Sequence, residues 1–395
     1  MLIKKIFKVA KRFIKIGKKK VKQKLPHLFF DTFALLPVKK NLAVFESYRG
    51  ESFSGNPKYI LMELKKRTEI KCVVFVNEPT QYEDQHKDIL FVKRLSISYI
   101  YWLARAKYLV NNVNYPDFLK KREGTYHVQT MHGTPLKLMG VDLINKSTYA
   151  YKQNLLGLFN RSKRWDLLVS PNSYTSEIFK RVFRYRGEVL ECGYPRNDIL
   201  VNNVENENLM KSFKVKLGLD MNKKVILFAP TWRESSSPKD IQESLNMNFD
   251  ALQESLSDEY IVVLRLHHLV SKSIDITQYK GFLYDLSKYP DSQELLIASD
   301  VLVTDYSSIM FDYLNYKKDI ILYLHDYDDY MLDRGAYFDV RKFSPGKIAY
   351  DFDELLEKII NLNDTSEVNE EFFDRFCHVE NGTAAEKVVD HMLKN

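Results

Sequence analysis

The sequence predicts an α/β protein built from two Rossmann-like domains that face each other across a cleft. Three observations lead to this prediction: a length of 395 residues, short apolar runs that alternate with amphipathic stretches, and a charged, Asn-rich segment near the middle. A chain of this length exceeds one ordinary hydrophobic core, so two domains are expected. Strands that alternate with helices indicate parallel sheets covered on both faces.

The first half contains six strand-like runs, each followed by turn-forming residues. They are NLAVFES, CVVFVN, KYLVNNV, YHVQTMHGT, WDLLVSPN and GEVLECGYPRND, at residues 41–47, 72–77, 107–113, 126–134, 165–172 and 187–198. A helical pattern, YILMELKKR, separates the first two runs. The Asn-rich stretch at 201–222 follows the last run, so we predict an N-terminal domain at residues 27–205.

The second half repeats this design. Its strand-like runs are KKVILFAPTW, EYIVVLRLHHLV, GFLYDLS, DVLVTDYS and DIILYLHD, at residues 223–232, 259–270, 281–287, 300–307 and 319–326. Helical patterns such as SQELLIAS lie between them. We predict a C-terminal domain at residues 206–395, whose last helical stretch could pack back on either half.

Composition limits the class of protein and its compartment. The three cysteines, Cys72, Cys192 and Cys377, are far apart, with no CxxC or Cys/His ligand spacing. This argues against a disulfide framework or a structural zinc site and fits a reducing cytosol. No apolar run reaches the roughly 18 residues needed to cross a bilayer. No carboxylate cluster has metal-ligand spacing, so neither a metal nor a cofactor is predicted.

The positive charge of the chain is concentrated at its N-terminus. Residues 1–24 contain eleven Lys and Arg and no acid, which leaves 48 basic and 52 acidic residues in the rest. The apolar positions of this segment follow helical spacing, which predicts an amphipathic helix over residues 1–26 with a cationic face. The cationic face contains Lys4, Lys5, Lys8, Lys11, Arg12 and Lys15.

Such a helix is typical of a segment that lies on an anionic membrane surface. Two alternatives remain open: a solvated helix docked on the protein itself, and an arm that binds nucleic acid. The regular apolar stripe is unnecessary for nucleic-acid binding, so the membrane surface is favoured and no nucleic-acid partner is predicted.

Polar residues cluster where strands of the second half end, which is where open parallel sheets bind ligands. VLVTDYSSIMFDY places Thr304, Asp305, Ser307 and Ser308 between a strand and a helix. Hydroxyl and N–H groups at such a helix start can hold a diphosphate. The alternative is that the serines only cap the helix.

Two further strand ends carry cations. RLHHLV supplies Arg265 and His267 on one face of a strand and His268 on the other, and the first two suit phosphate oxygens. FAPTWRE adds Thr231 and Arg233, which are plausible phosphate contacts, although Arg233 could equally be a surface residue.

The first half offers a candidate base. HGTPLK puts His132 in a Gly/Pro turn after a strand, and an imidazole near its ordinary pKa can take a proton from an attacking alcohol. A plain turn histidine is the alternative on spacing alone. GYPRND supplies Arg196, Asn197 and Asp198 in a comparable turn.

Together these blocks resemble the CDP-glycerol glycerophosphotransferase family, the teichoic acid primases and polymerases of Gram-positive bacteria. The similarity runs from about residue 41 to residue 381. It includes FESYRG with GNPK, HGTPLK, SPN, GYPRND, FAPTWR, LRLHHLV, SDVLVTDYSSIMFD and RGAYFD with a following SPG. The pieces are short, but their joint order is specific. At one position the chain departs from many members, with His268 where they have proline.

The resemblance implies a GT-B-like fold in which the C-terminal domain binds CDP-glycerol and the N-terminal domain receives a lipid-linked acceptor. It implies that His132 is the general base and that His267 acts in the reaction. Donor contacts are expected from Arg265, Thr231, Arg233, Thr304, Asp305, Ser307, Ser308 and Arg334. Residues on the acceptor side or in the cleft are expected to be Gly133, Thr134, Lys137, Arg196, Asn197 and Asp198.

The implied reaction transfers glycerol phosphate from CDP-glycerol to the hydroxyl end of a lipid-linked disaccharide or teichoic acid and releases CMP. The basic helix then predicts a peripheral protein on the cytoplasmic face of the membrane. Three alternatives remain: a CDP-ribitol or capsule polyol-phosphate transferase of the same fold, a GT-B sugar transferase, and a non-catalytic membrane-associated protein that binds CDP-polyol.

Overall fold

The computed structural model describes residues 24–143, 155–231, 245–266, 275–362 and 368–395. Within these ranges the first domain contains a seven-stranded sheet in the order β3-β2-β1-β4-β5-β6-β7, with every neighbouring pair parallel. The strands are β1 Lys39–Glu46, β2 Lys71–Val76, β3 Leu90–Lys93, β4 Ala106–Asn111, β5 Tyr126–Gln129, β6 Leu167–Ser170 and β7 Glu188–Glu191.

Helices cover both faces of this sheet. They are α1 at residues 24–33, α2 Gly55–Arg67, α3 Thr80–Glu83, α4 Ile97–Arg105, α5 Leu155–Ser162, α6 Ser173–Val182 and α7 Asp198–Val201. The central strands are buried over most of their length, apart from the first three residues of β1, because side chains pointing to either face meet an apolar layer. Polar N-caps begin several helices, as where Asn172 accepts a hydrogen bond from the N–H of Thr175.

The second domain contains a six-stranded parallel sheet in the order β10-β9-β8-β11-β12-β13. Its strands are β8 Lys224–Ala229, β9 Tyr260–Leu264, β10 Leu283–Asp285, β11 Val301–Thr304, β12 Asp319–Tyr323 and β13 Lys347–Ala349. Its helices are α8 Glu207–Leu217, α9 Phe249–Leu256, α10 Ser292–Ala298, α11 Ile309–Tyr313, α12 Tyr327–Arg334, α13 Phe352–Ile360 and α14 Glu370–Cys377. Apolar layers again lie on both faces.

The chain ends by returning to the first domain. Helix α15, Ala384–Lys394, buries Val388, Val389 and Met392 in the apolar layer that covers the first sheet. Two apolar residues of the first domain, Leu136 and Leu200, pack in turn into the core of the second domain. The two domains are therefore joined through packed apolar contacts as well as through the polypeptide.

Both sheets reverse their strand order at one internal point, between β1 and β4 in the first and between β8 and β11 in the second. Ligands of open α/β sheets bind outside the carboxyl ends of strands at such points. The predicted pair of Rossmann-like domains is confirmed. Among the described residues, no helix combines the length and apolarity needed to cross a bilayer.

Candidate active site

His132 lies in the loop that follows β5. The residue before it, Met131, has a φ of 50°, a left-handed conformation that turns the chain sharply out of the strand. The His132 Nδ1 atom lies 2.8 Å from the carbonyl oxygen of Asn112, in the loop after β4. A carbonyl oxygen can only accept, so Nδ1 carries the hydrogen and Nε2 keeps its lone pair. The neutral ring can therefore accept a proton at Nε2.

The surroundings of His132 favour this neutral form. The side chain is exposed to solvent, while its ring packs against Tyr48 and the Asn112 carbonyl. Burial lowers the pKa of His132, the hydrogen bond with the Asn112 carbonyl opposes this, and the positive charge of Arg196 lowers the pKa further. The net shift is downward from 6.5, so the ring is unprotonated at neutral pH.

Tyr48 packs beside this ring at the end of β1. Its ring meets His132 edge-on with centroids 6.1 Å apart, and its N–H donates to the side-chain oxygen of Asn112 at 2.8 Å. Tyr48 and Arg49 have φ values of 47° and 56°. Left-handed non-glycine residues cost roughly 1–3 kcal/mol each and cluster at functional sites, so this local strain marks the region.

On the second domain, the residues after β11 organise the facing loops. The Thr304 hydroxyl donates to the carbonyl oxygen of Ala229 at 2.7 Å, and Thr304 is fully buried. The carboxylate of Asp305 accepts the N–H of Thr231 at 2.8 and 2.9 Å. Both side chains therefore hold the loop after β8 against the loop after β11.

The two serines of the predicted donor site make at most weak capping hydrogen bonds to helix α11. Ser307 Oγ accepts the N–H of Ile309 at 3.4 Å, and the Ser308 side chain makes no capping hydrogen bond. Capping alone therefore does not account for the pair. Helix α11 has only five residues, so its start offers N–H groups more than a large dipole.

The loop of the candidate base touches this serine pair across the cleft. A Cβ atom placed on Gly133 would lie 2.5 Å from Ser308 Oγ and 2.9 Å from Ser308 Cβ. Real Cβ atoms do not approach so closely, so glycine is what permits the contact. The turn that carries His132 and the start of α11 at Ser308, one from each domain, are thus in contact through Gly133.

Arg196 follows β7 and joins the domains directly. Its guanidinium binds the carboxylate of Asp312, on helix α11, with a shortest distance of 2.8 Å, and both side chains are almost fully buried. A second arm donates to the carbonyl oxygen of His132 at 2.8 Å. The hydroxyl of Tyr48 lies 3.4 Å from the same nitrogen.

Arg265 lies after β9, at the edge of the second sheet where donor contacts were predicted. Its guanidinium donates to the carbonyl oxygen of Tyr289 at 2.8 Å, and burial lowers its pKa. The nearby Asp291 forms an ion pair of 2.6 Å with Lys58, which belongs to helix α2 of the first domain. The loop that anchors Arg265 is therefore also tied across the cleft.

The rest of the HGTPLK segment pairs with the RGAYFD segment of the second domain. Lys137 and Ala336 form an antiparallel bridge, and the N–H of Leu138 donates to the carbonyl oxygen of Gly335 at 3.1 Å. Arg334 ends helix α12 two residues before Ala336, so it lies beside the same interdomain contact.

Two residues of the GYPRND turn have other partners. The Asp198 carboxylate accepts the N–H groups of Ala384 and Ala385 at 2.9 and 2.7 Å and so caps helix α15. The side chain of Asn197 donates to Glu380 at 2.9 Å. The structure thus gives Asp198 a capping contact, and it does not bring this side chain to His132.

Several predicted residues lie outside the described ranges. They are Arg233, His267 and His268, together with the membrane residues Lys4, Lys5, Lys8, Lys11, Arg12 and Lys15. Among the residues that are described, no group of three or more His, Cys, Asp or Glu side chains could hold a metal ion.

Sequence reasoning missed Tyr48, Asn112 and Asp312. Tyr48 and Asn112 follow strand ends and Asp312 lies in the helix after β11, all within quoted segments, which was the available signal. Their roles depend on contacts that no linear pattern contains, namely the carbonyl of Asn112 on His132 and the carboxylate of Asp312 on Arg196.

Two nucleotide-type folds, with a histidine turn of one packed against the Ser308 side chain of the other, define a two-domain group-transfer enzyme. The family model for CDP-Glycerol:Poly(glycerophosphate) glycerophosphotransferase matches residues 28–394. The chain belongs to this family.

Known proteins agree with this assignment. The teichoic acid poly(glycerol phosphate) polymerase of Bacillus spizizenii is 37% identical over 93% of this chain and 95% of its own length. That of Bacillus subtilis is 36% identical, and the chain spans 53% of its length. A structure of the wall teichoic acid polymerase TagF soaked with CDPG has a TM-score of 0.84 and 33% identity, with 98% of both chains covered. The predicted GT-B-like architecture is confirmed by this last match.

Proposed function

We propose that the protein transfers glycerol phosphate from CDP-glycerol to a terminal hydroxyl of a lipid-linked teichoic acid acceptor, with release of CMP. Family membership and the activities named for its relatives support the substrate class. The observation that carries the mechanism is the hydrogen bond from His132 Nδ1 to the Asn112 carbonyl, because it leaves the lone pair on Nε2, in a turn whose next residue, Gly133, meets Ser308 of the second domain.

In the proposed step, the acceptor oxygen forms a bond to the β-phosphorus of the donor. The bond from that phosphorus to the bridging oxygen breaks, and CMP leaves with the bridging oxygen. The proton of the acceptor hydroxyl passes to Nε2 of His132. A hydroxyl group is a poor nucleophile until this proton is removed, so the base belongs on the acceptor side.

The donor phosphates are assigned to the second domain. Arg265 supplies positive charge, while Ser307 and Ser308 supply hydroxyl donors, in a partly enclosed site where such interactions gain strength. Thr231 and Arg334 border this region. His267 and Arg233 remain candidates by resemblance. Preorganised donors of this kind lower the barrier as negative charge spreads over the transferred phosphoryl group.

The acceptor is assigned to the cleft side of the first domain, and the basic N-terminal segment is assigned to the anionic inner surface of the membrane. Eleven positive charges within residues 1–24 would hold the protein where a lipid-linked acceptor ends. This gives a peripheral protein at the cytoplasmic face.

The test uses the purified full chain with a synthetic lipid-linked disaccharide acceptor. CDP-glycerol, CDP-ribitol and a UDP-sugar are supplied separately, nucleotide release is measured, and product mass gives the number of units added. CMP release with CDP-glycerol, lost in His132→Ala, is the expected result. If only CDP-ribitol or only the UDP-sugar is consumed, that compound is the donor and the assignment of CDP-glycerol is wrong. Donor binding with no CMP release would indicate a non-catalytic binding protein.

A further inference from the structure

One guanidinium group joins the His132 loop to the helix behind the serine pair. Arg196 is 3% exposed, and its Nη1 donates to the carbonyl oxygen of His132 at 2.8 Å. Its Nε and Nη2 donate to the carboxylate of Asp312 at 3.2 and 2.8 Å. We propose that Arg196 and Asp312 are positioning residues that set His132 against Ser308. This inference rests on the proposed function, in which His132 is the base.

The ion pair acts on the same two segments as the glycine contact. Asp312 follows Ser308 by four residues, so both lie on one face of the turn formed by α11. Gly133 follows His132 and meets Ser308 across the cleft. The loop and the helix are thus held at two separate points. Two points fix their relative rotation as well as their distance, which one contact cannot do.

The side chain of Asn56 links the backbone at Arg196 to the backbone before His132. Its N–H donates to the side-chain oxygen of Asn56 at 3.1 Å, and the Asn56 side-chain nitrogen donates to the carbonyl oxygen of Met131 at 3.2 Å. Asn56 lies in the first turn of α2 and is fully buried. It therefore keeps the Arg196 turn in register with the residue that precedes His132.

The energetics of buried ion pairs favour a positional role. Burial alone would lower the pKa of Arg196, and the Asp312 carboxylate more than reverses this, so the guanidinium stays charged. Removing two charges from water costs several kcal/mol per ion, and an apolar pair of similar volume is often as stable. What an apolar pair cannot supply is the directed donor to the His132 carbonyl, since only the planar guanidinium fork serves both partners at once.

Arg196 has several other side chains as neighbours besides Asp312. The titratable side chains among them that interact with Arg196 include Tyr48, Tyr194, Tyr59 and His132, and the Tyr194 ring lies under the guanidinium at 5.2 Å. Glu380 reaches this turn through the Asn197 side chain. Each of these groups is retained when Arg196 or Asp312 is changed, so the variants isolate the pair.

Two substitutions test the geometry. Arg196→Lys keeps the charge but lacks the fork, and Asp312→Asn keeps the shape but lacks the charge. We expect kcat for CMP release to fall roughly tenfold or more in both, because small misplacements of a reacting group are costly. Donor KM should stay within about threefold, since neither residue is assigned to donor binding.

The matched control is Asp300→Asn. Asp300 is a carboxylate of the same domain, paired at 3.2 Å with the buried Lys214 away from the cleft. It should lower thermal stability without lowering kcat at temperatures well below its transition. If Asp312→Asn behaves in the same way as this control, the pair is structural and the proposal is wrong.

The pH profile separates positioning from general damage. Asp312→Asn leaves an uncompensated cation beside His132, so the acidic limb of kcat/KM should move to lower pH. Arg196→Gln removes the cation and leaves the anion, so the limb should move to higher pH. If the acidic limb of kcat/KM lies at the wild-type pH in both variants, the proposal is wrong.

A second readout does not need turnover. Imidazole ¹⁵N spectra of the full chain, with the His132 signal identified from its loss in His132→Gln, report which ring nitrogen carries hydrogen. The wild type should show the Nδ1–H form near neutral pH, and Arg196→Lys should broaden or shift that signal. An unchanged signal in Arg196→Lys and Asp312→Asn contradicts positioning. Wild type that releases no CMP, with the signal shift still present, contradicts the proposed function alone.

Discussion

The Nδ1 atom of His132 lies 2.8 Å from the carbonyl oxygen of Asn112, and this contact decides what the imidazole can do. A backbone carbonyl cannot rotate or ionise to suit both ring forms, so it selects the Nδ1–H tautomer. A side-chain partner such as a carboxylate would also favour the protonated ring. The carbonyl orients the base without greatly raising its pKa, which remains below the ordinary value.

Loss of the imidazole should abolish turnover with little effect on donor binding. In His132→Ala we expect kcat for CMP release to fall roughly a hundredfold or more, as for removal of a general base. Calorimetric affinity for CDP-glycerol should be nearly unchanged. The control is His391→Ala, which removes a histidine near the end of the chain that contacts Glu188 and the Tyr126 ring. Near wild-type turnover in His132→Ala would exclude the base assignment.

Activity should persist into mildly acidic solution. The base must be unprotonated, and the pKa of His132 is lowered from 6.5, chiefly by burial. The acidic limb of kcat/KM should therefore be centred below pH 6.5. The measurement is a pH–rate profile in buffers of constant ionic strength. An acidic limb centred above 6.5 would require a different base.

The close approach at Gly133 gives a steric prediction. Gly133 has an ordinary backbone conformation, so alanine is unstrained there, but its Cβ would collide with Ser308. We expect Gly133→Ala to lower kcat about tenfold or more by separating the loops. The effect should shrink in a Ser308→Gly background, which removes the colliding atoms. Equal losses in both backgrounds, measured as a double-mutant cycle, would refute the contact.

Stability should decrease as solutions become more alkaline, because of Glu380. Burial raises the pKa of this carboxyl to about 8, while hydrogen bonds from Tyr194 and Asn197 oppose the shift. The folded state then holds a proton that the unfolded state releases near 4.5, so folding stability falls as pH rises from about 4.5 to about 8. Glu380→Gln should flatten the melting temperature across this range, unlike the exposed Glu386→Gln. If the melting temperature of Glu380→Gln still falls with rising pH as in the wild type, another group causes the pH dependence.

The N-terminal segment should anchor the protein to anionic vesicles. Deletion of residues 1–24 removes eleven positive charges and should abolish co-sedimentation with vesicles rich in phosphatidylglycerol. Activity on a soluble acceptor analogue should remain, because the catalytic residues are untouched. Vesicles of neutral lipid serve as the control. A shortened chain that still sediments would place the anchor elsewhere.

Much of the fold could be predicted because buried parallel strands are recognisable as continuous apolar runs. The two strands that were missed, β3 at Leu90–Lys93 and β13 at Lys347–Ala349, are short and lie at sheet edges. An edge strand has one neighbour, so it needs little apolar sequence and its pairing depends on a partner far along the chain. Length and apolarity alone did not reveal them.

The candidate site divides along similar lines. Strand ends and turn residues were enough to select His132, Arg265 and the serine pair. Asp198 was selected by the same reasoning, yet its carboxylate caps helix α15, since a turn rich in polar residues serves packing as readily as chemistry. The part played by Asp312 depends on a contact across the domains, which only three-dimensional structure contains.

Helix α15 has a consequence for how the molecule can open. The polypeptide enters the second domain after α7 and leaves it again before α15, so two tethers cross the boundary side by side. Two connections restrain the twisting of one domain relative to the other more than one connection would. The domains can still hinge about an axis that passes through both connections. If the chain were divided between residues 205 and 206, the first domain would lose helix α15. The apolar face of that helix would then be exposed on the C-terminal fragment. A functional split would have to supply residues 384–394 to the N-terminal fragment.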